Sequence, residues 1–349
     1  MRPLGIPALF LITATAFADP FETPIQLDQT SAADVEVTAT AEGPLPIWID
    51  DTGEMRANGR FVTAAAVRGA VASFGDYALV VWTQADGAVM AKRVRPDGVT
   101  AGLVRRIGSN ATGPVAIAAA SDRYFVTWGG TLGEVYAAIV SDVGNPLVPA
   151  MPVTTQSPSQ SPSGIDEIAA SASENGFAAV WHLWSERKVF AITVAESGVP
   201  ASMTPLLVSD DGLFPDITSN GDSFFTAWMD GNGLLRARTL TVERELGRVR
   251  SLGVGQAPRI SWDGFAYIVA FARVVHPRPG FAFPVLFVTR VNAYGGVIET
   301  LAQAAALLPR TWDVDAGSGR VHLVVSSNEV TLRSATMREP RPRMRVLRY

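Results

Sequence analysis

The 349-residue sequence contains no cysteine and only three histidines, His182, His276 and His322. Without cysteine there is no disulfide framework, no lipoprotein attachment site and no thiol nucleophile, so the chain is no small disulfide-stapled module. The histidines lie far apart and show no zinc-ligand spacing, so no metal site is expected and no cofactor is implied. Charge is also scarce: charged residues make up 18% of the chain, and the net charge is -4. The basic residues are scattered except at the arginine-rich C-terminus, which leaves no broad cationic face for phosphates and argues against nucleic acid as a partner. Beyond the N-terminus no uncharged apolar run is long enough for a membrane helix, so no transmembrane anchor is expected.

What the sequence does have is apolar mass, 48% of its residues, enough for a large core. The opening "MRPLGIPALFLITATAFADP" joins a basic residue, Arg2, to an apolar run from Leu4 to Ala14 and a small-residue site at Ala16-Phe17-Ala18. That is the pattern of a secretory signal peptide over residues 1-18, cleaved after Ala18. The mature chain is then expected to be secreted, periplasmic or at the cell surface, and monomeric.

The stretch "YALVVWTQADG" from Tyr77 returns in altered form as "RYFVTWGG", "GFAAVWHLW", "SFFTAWMDGNG" and "AYIVAFARV". Aligned on the last large residue, the anchors are Trp82, Trp128, Trp181, Trp228, Phe271 and, degenerately, Val325, at separations of 46, 53, 47, 43 and 54 residues. Positions two and four before each anchor share its face of a strand, and the positions between are mostly apolar too, so both faces are expected to be buried. Each run follows a turn rich in Gly, Asp, Asn and Ser and a short segment such as "GAVAS", "PDITS" or "PRISW", which makes a hairpin. A third strand such as "AVMAKRV" and a fourth such as "LVRRI" complete the unit.

Four short antiparallel strands with two buried faces, repeating about every 45 residues, predict an all-β chain folded as a β-propeller of four-stranded blades. A pair of β-sandwich domains is the alternative architecture. Six units run over residues 70-349. The segment 19-69 either supplies closing strands to the last blade or, with "VEVTATA" from Val35, makes a seventh. In that segment "PIWIDDTGE" resembles a third strand and "GRFVTAA" a fourth. The unit "YALVVWTQADGAVMAKRVRPDG" resembles the repeats of secreted bacterial β-propeller proteins, with their "YLVVW" and "YAARVDPDG" type strands. The resemblance covers Val71 to Thr336 and implies a fold, not an activity, because the shared residues are packing and turn residues.

Catalytic motifs are absent: there is no "GxSxG" elbow and no sialidase-type "SxDxGxTW" box. The acidic turns at Asp210-Asp211 and Asp230 lack the ligand spacing of a calcium loop and read as hairpin turns. The informative departures are the elaborated connections "TTQSPSQSPSG" from Thr154, "HLWSERK" from His182 and "VVHPRPGFAFP" from Val274. In a propeller, second-to-third and fourth-to-first connections emerge at the same end of the disc. That end would carry His182, Trp184, Arg187, His276, Arg278 and Phe281, a set suited to a protein or glycan ligand because aromatic rings and guanidinium groups dominate many interfaces. The expectation is a non-catalytic binding propeller. The alternatives are a hydrolase or lyase of an extracellular polysaccharide acting at a central pocket, and a structural domain of the cell envelope.

Overall fold

The computed structural model describes residues 21-336, apart from 132, 155-164, 184, 279-280, 306-309 and 318. The leader at 1-18 and the arginine-rich segment after 336 lie outside the described residues. Seven four-stranded antiparallel sheets are arranged as the blades of a β-propeller, and no described residue is helical. Seven sheets of one pattern exclude the pair of sandwiches.

The inner strands of blades 1 to 7 are Ala32–Thr40, Arg68–Phe74, Val115–Ala119, Glu167–Ser173, Leu213–Ser219, Gln256–Trp262 and Thr311–Gly317. Segment 19-69 plays both of the parts considered for it. Ile25–Asp28 pairs with Val330–Thr336 as the outermost strand of blade 7, and Ala32–Thr63 forms a complete extra blade. One strand assignment changes. "PIWID" belongs to the second strand, Gly43–Asp50, where Trp48 lies opposite Val35 as a seventh anchor. The outermost place in blade 7 is taken by Ile25–Asp28.

Burial of both strand faces follows from stacking. Gly176–Leu183 is buried along its whole length. One apolar cluster fills each of the seven junctions between neighbouring blades. Alternation along the second strand divides its side chains between two such clusters: Tyr124, Val126 and Trp128 face blade 2, while Phe125 faces blade 4 and stacks on Phe177 at 5.1 Å between ring centroids. Every anchor, including Trp48 and Val325, faces the preceding blade. In blade 7 the aromatic residue crosses the ladder, for Val325 lies opposite Trp312. The close stacking also fixes two glycines. A Cβ on Gly108 would stand 2.4 Å from the Trp128 ring, and one on Gly212 would stand 2.7 Å from the Trp228 ring.

Candidate functional site

The seven inner strands surround a central channel of about 680 Å³. An inner strand has a sheet partner on one side only, so its other edge offers backbone N–H groups towards the channel that need acceptors. Carboxylates of the preceding blade supply several. Val37 N donates to Asp313 (2.9 Å) and Ala39 N to Asp315 (2.7 Å), joining blade 7 to blade 1. Gly69 N donates to Asp34 (3.2 Å) and Val71 N to Glu36 (2.9 Å), joining blade 1 to blade 2. Ile260 N donates to Asp216 (2.6 Å), joining blade 5 to blade 6. At the junction of blades 6 and 7 a hydroxyl does the same work, with Ala316 N donating to Ser261 Oγ (3.0 Å).

Arg259 supplies the cation of this acidic wall. It reaches from blade 6 past blade 5 to an ion pair with Glu167 of blade 4. The inner strand is bulged just before it, with Ala257 at φ 45°, and Phe214 at φ 53° marks the matching bulge before Asp216. Non-glycine residues at positive φ cost energy and persist only where the surroundings enforce them, and bulges of this kind re-aim the side chains that follow.

Burial opposes the charge on Arg259, but Glu167, Asp216 and Asp313 outweigh it and hold the guanidinium firmly protonated. The carboxyls move the other way. Burial pushes Asp216 up to about 6 despite Arg259. Burial, with the charges of Asp216 and Asp315, pushes Asp313 up to about 7 against the hydrogen bond from Val37. Glu36 is raised well above the ordinary carboxylate range by burial and then by Asp313 and Asp34. All of these side chains still meet the open channel in part, so solvent moderates the cost of burial and the mutual repulsion of the acids is the more durable cause. Chemically, the wall can accept hydrogen bonds, carry a proton at neutral pH and present one fixed cation. Among the described residues no group of three His, Asp or Glu side chains is arranged to hold a metal ion.

The six residues singled out in the sequence are distributed differently. His182 is buried, 1% exposed, with its ring 5.7 Å from that of Phe214, and burial lowers its pKa. Arg187 lies in the turn after the second strand of blade 4, at φ 51°, and pairs with Asp211 at 3.0 Å. His276 is exposed near the tip of the blade 6 hairpin, where the backbones of Arg278 and Phe281 pair across the turn. The side chains of Arg278 and Phe281, and the whole of Trp184, lie outside the described residues, as does most of the Ser/Pro/Gln insertion. Arg187 and His276 are not brought together, for blade 5 separates their blades. The acidic turns do what turns require: Asp211 accepts from Gly231 N, and Asp230 accepts from Asn232 and Leu234 N. The channel residues had a sequence signal that the hairpin reading passed over: Glu36, Asp216, Arg259 and Asp313 all occupy the position after the one facing the anchor, where blades 2, 3 and 4 carry alanine.

These features define the chain as a seven-bladed β-propeller. It is similar along 91% of its length to the structure of the Dos1 propeller, with a TM-score of 0.55 at 9% identity over 96% of that chain. It is likewise similar to the WD40 domain of SCAP from fission yeast, with a TM-score of 0.51 at 8% identity over 91% of this chain and 98% of that one. Trypanosoma rangeli sialidase, solved with the inhibitor DANA, matches with a TM-score of 0.50 at 8% identity over 89% of this chain but only 59% of its own. At such identities the likeness is one of fold alone. No protein-family model matches the chain, and no curated protein matches it in sequence.

Proposed function

We propose that the protein is an exported, monomeric, non-catalytic propeller that holds a protein or glycan ligand at the end of the disc bearing the second-to-third connections. The observation that carries this reading is the blade 6 ribbon. Its strands Tyr267–Arg278 and Phe281–Val291 pair with each other as far as Arg278 and Phe281, whereas pairing with the inner strand reaches only to Ala272. A two-stranded ribbon therefore stands beyond its blade, with exposed Arg273 and His276, beside the end at which the inner strands begin. That shape offers a ligand both a raised edge and the channel mouth with its Arg259–Glu167 pair. Export rests on the N-terminal pattern alone, and a mature N-terminus at Asp19 in mass spectra of the expressed protein is its test.

A glycan and secreted-protein array, probed with the mature protein and with the His276→Ala/Arg187→Ala variant, tests the surface. The expected result is a set of ligands bound by the wild type and weakened in the variant. Ligands bound equally by both proteins would exclude this face.

One observation favours a second reading, a polysaccharide hydrolase or lyase. Burial raises Asp313 to about 7 and Asp216 to about 6 in a central cavity, towards the range a general acid needs. Against it, both carboxyls already accept backbone N–H groups of the next blade. Release of reducing ends or unsaturated products from a panel of polysaccharides would establish this reading over the first.

A further inference from the structure

The carboxylate clamps occupy only part of the ring. They join blades 7 to 1, 1 to 2 and 5 to 6, and the Ser261 hydroxyl continues the series between blades 6 and 7. At the junctions of blades 2 to 3 and 3 to 4 the equivalent positions carry Ala70, Ala72, Ala116 and Ala118, whose side chains cannot make such bonds. The clamped arc contains the seam, where Ile25–Asp28 and the Ser326 hydroxyl, bonded to Ala32 N and O, tie the two ends of the ring together.

We propose that the carboxyl groups of Asp313 and Glu36 form a proton-operated latch on this seam. While protonated they hold blade 7 to blade 1 through Val37 N and blade 1 to blade 2 through Val71 N; once both ionise, the crowded acids of the channel repel one another and loosen those junctions. The charged groups facing the pair come from every neighbouring blade. Asp34 lies on the strand of Glu36 and Asp315 on that of Asp313, while Asp216 approaches from blade 5 and Glu167 from blade 4. Opposing cations are Arg259 from blade 6, Arg68 from blade 2, which acts on Asp34, and Arg310 at the blade 7 mouth. Of these, Arg259 is committed to Glu167. Acids thus outnumber cations around the pair, and a proton is what relieves the repulsion.

The direction follows from linkage. A carboxyl whose folded pKa is raised binds its proton more tightly folded than unfolded, so its contribution to stability is full at acid pH and is lost as pH rises towards the folded value. For Asp313 that loss is complete only above about 7. The buried imidazoles of His182 and His322 have lowered pKa values and give the opposite slope, but chiefly below their ordinary value of 6.5. The informative window is therefore pH 6.5 to 8, where the latch acts nearly alone.

The test uses the full chain. Wild type should melt at a lower temperature at pH 8 than at pH 6.5, and Asp313→Asn should remove most of that difference. Amide exchange should show protection at Val37, Ala39 and Val71 falling relative to Ile117 of blade 3, by up to about tenfold per pH unit for one linked proton, after correction for intrinsic rates. Should the variant fail to fold, wild-type exchange alone decides. A flat or rising melting temperature, a full pH response retained in Asp313→Asn, or equal loss of protection at Ile117 would each overturn the latch.

Discussion

Removing the Arg259 guanidinium would leave Glu167, Asp216 and Asp313 around the channel with no central cation. Breaking a buried ion pair from one side costs more than the pair contributes, because the other charge stays behind. Arg259→Met is therefore expected to destabilise by about 3 kcal/mol, the lower end for a buried pair, since a quarter of the side chain meets solvent. Urea unfolding at pH 7 measures it, and combining the change with Glu167→Gln should recover part of the loss. At Trp128 the argument is packing. The ring is fully buried and its Nε1 donates to Ser109 O at 3.0 Å, so Trp128→Ala should cost roughly 3 to 5 kcal/mol. Gly108→Ala probes the same contact from the other side and should lower the melting temperature, because the added methyl must displace the indole or the strand beneath it. A melting temperature equal to wild type in either variant would contradict the placement of Trp128 between blades 2 and 3.

At the scale of elements, the blade 6 ribbon and the blade beneath it should be separable. Val275 and Phe283 are directly paired, so replacing residues 276-282 by Asn-Gly leaves a hairpin closed by a favoured two-residue turn. The melting temperature should stay within about 2 °C of wild type, as for surface changes generally. Binding to array ligands should be lost. Legibility in the sequence also varied by element. Five blades announced themselves because their second strands carry a Trp or Phe anchor after an apolar run. Blade 7 was fainter because its large aromatic residue, Trp312, sits on the inner strand opposite Val325. Blade 1 was hardest. Its third strand, Met55–Ala57, and fourth, Arg60–Thr63, are short, so Trp48 stands nearer to Trp82 than any other two successive anchors, and Pro44 and Pro46 break the apolar run leading to it. The channel was legible only in retrospect, because a single Asp or Arg within a strand declares itself functional only when seven strands are superposed around an axis.

For the whole molecule, stability is distributed over seven similar junctions, and closure depends on one short strand. Deleting residues 22-28 removes the ladder to Val330–Thr336, the packing of Leu27 and the acceptor for Trp48 Nε1, which bonds Asp28 at 3.0 Å. The expected cost is about 3 kcal/mol, from the lost apolar contact and the orphaned buried donor together. It should appear as a lowered melting temperature and as faster proteolysis within Val330–Thr336, whose outer edge is left unpaired. An unchanged melting temperature would mean that the apolar seam suffices without the strand.

The pairing of Ile25–Asp28 with Val330–Thr336 also sets a timetable. On a ribosome the first of these strands is made almost a whole chain before its partner, and every blade in between can stack while it waits. Closure is then the slowest and most entropically demanding contact. Until it forms, the edge of blade 7 is open to proteases and to the same strand of another copy, so two chains halted at this stage could exchange their first strands and leave synthesis as an entwined pair.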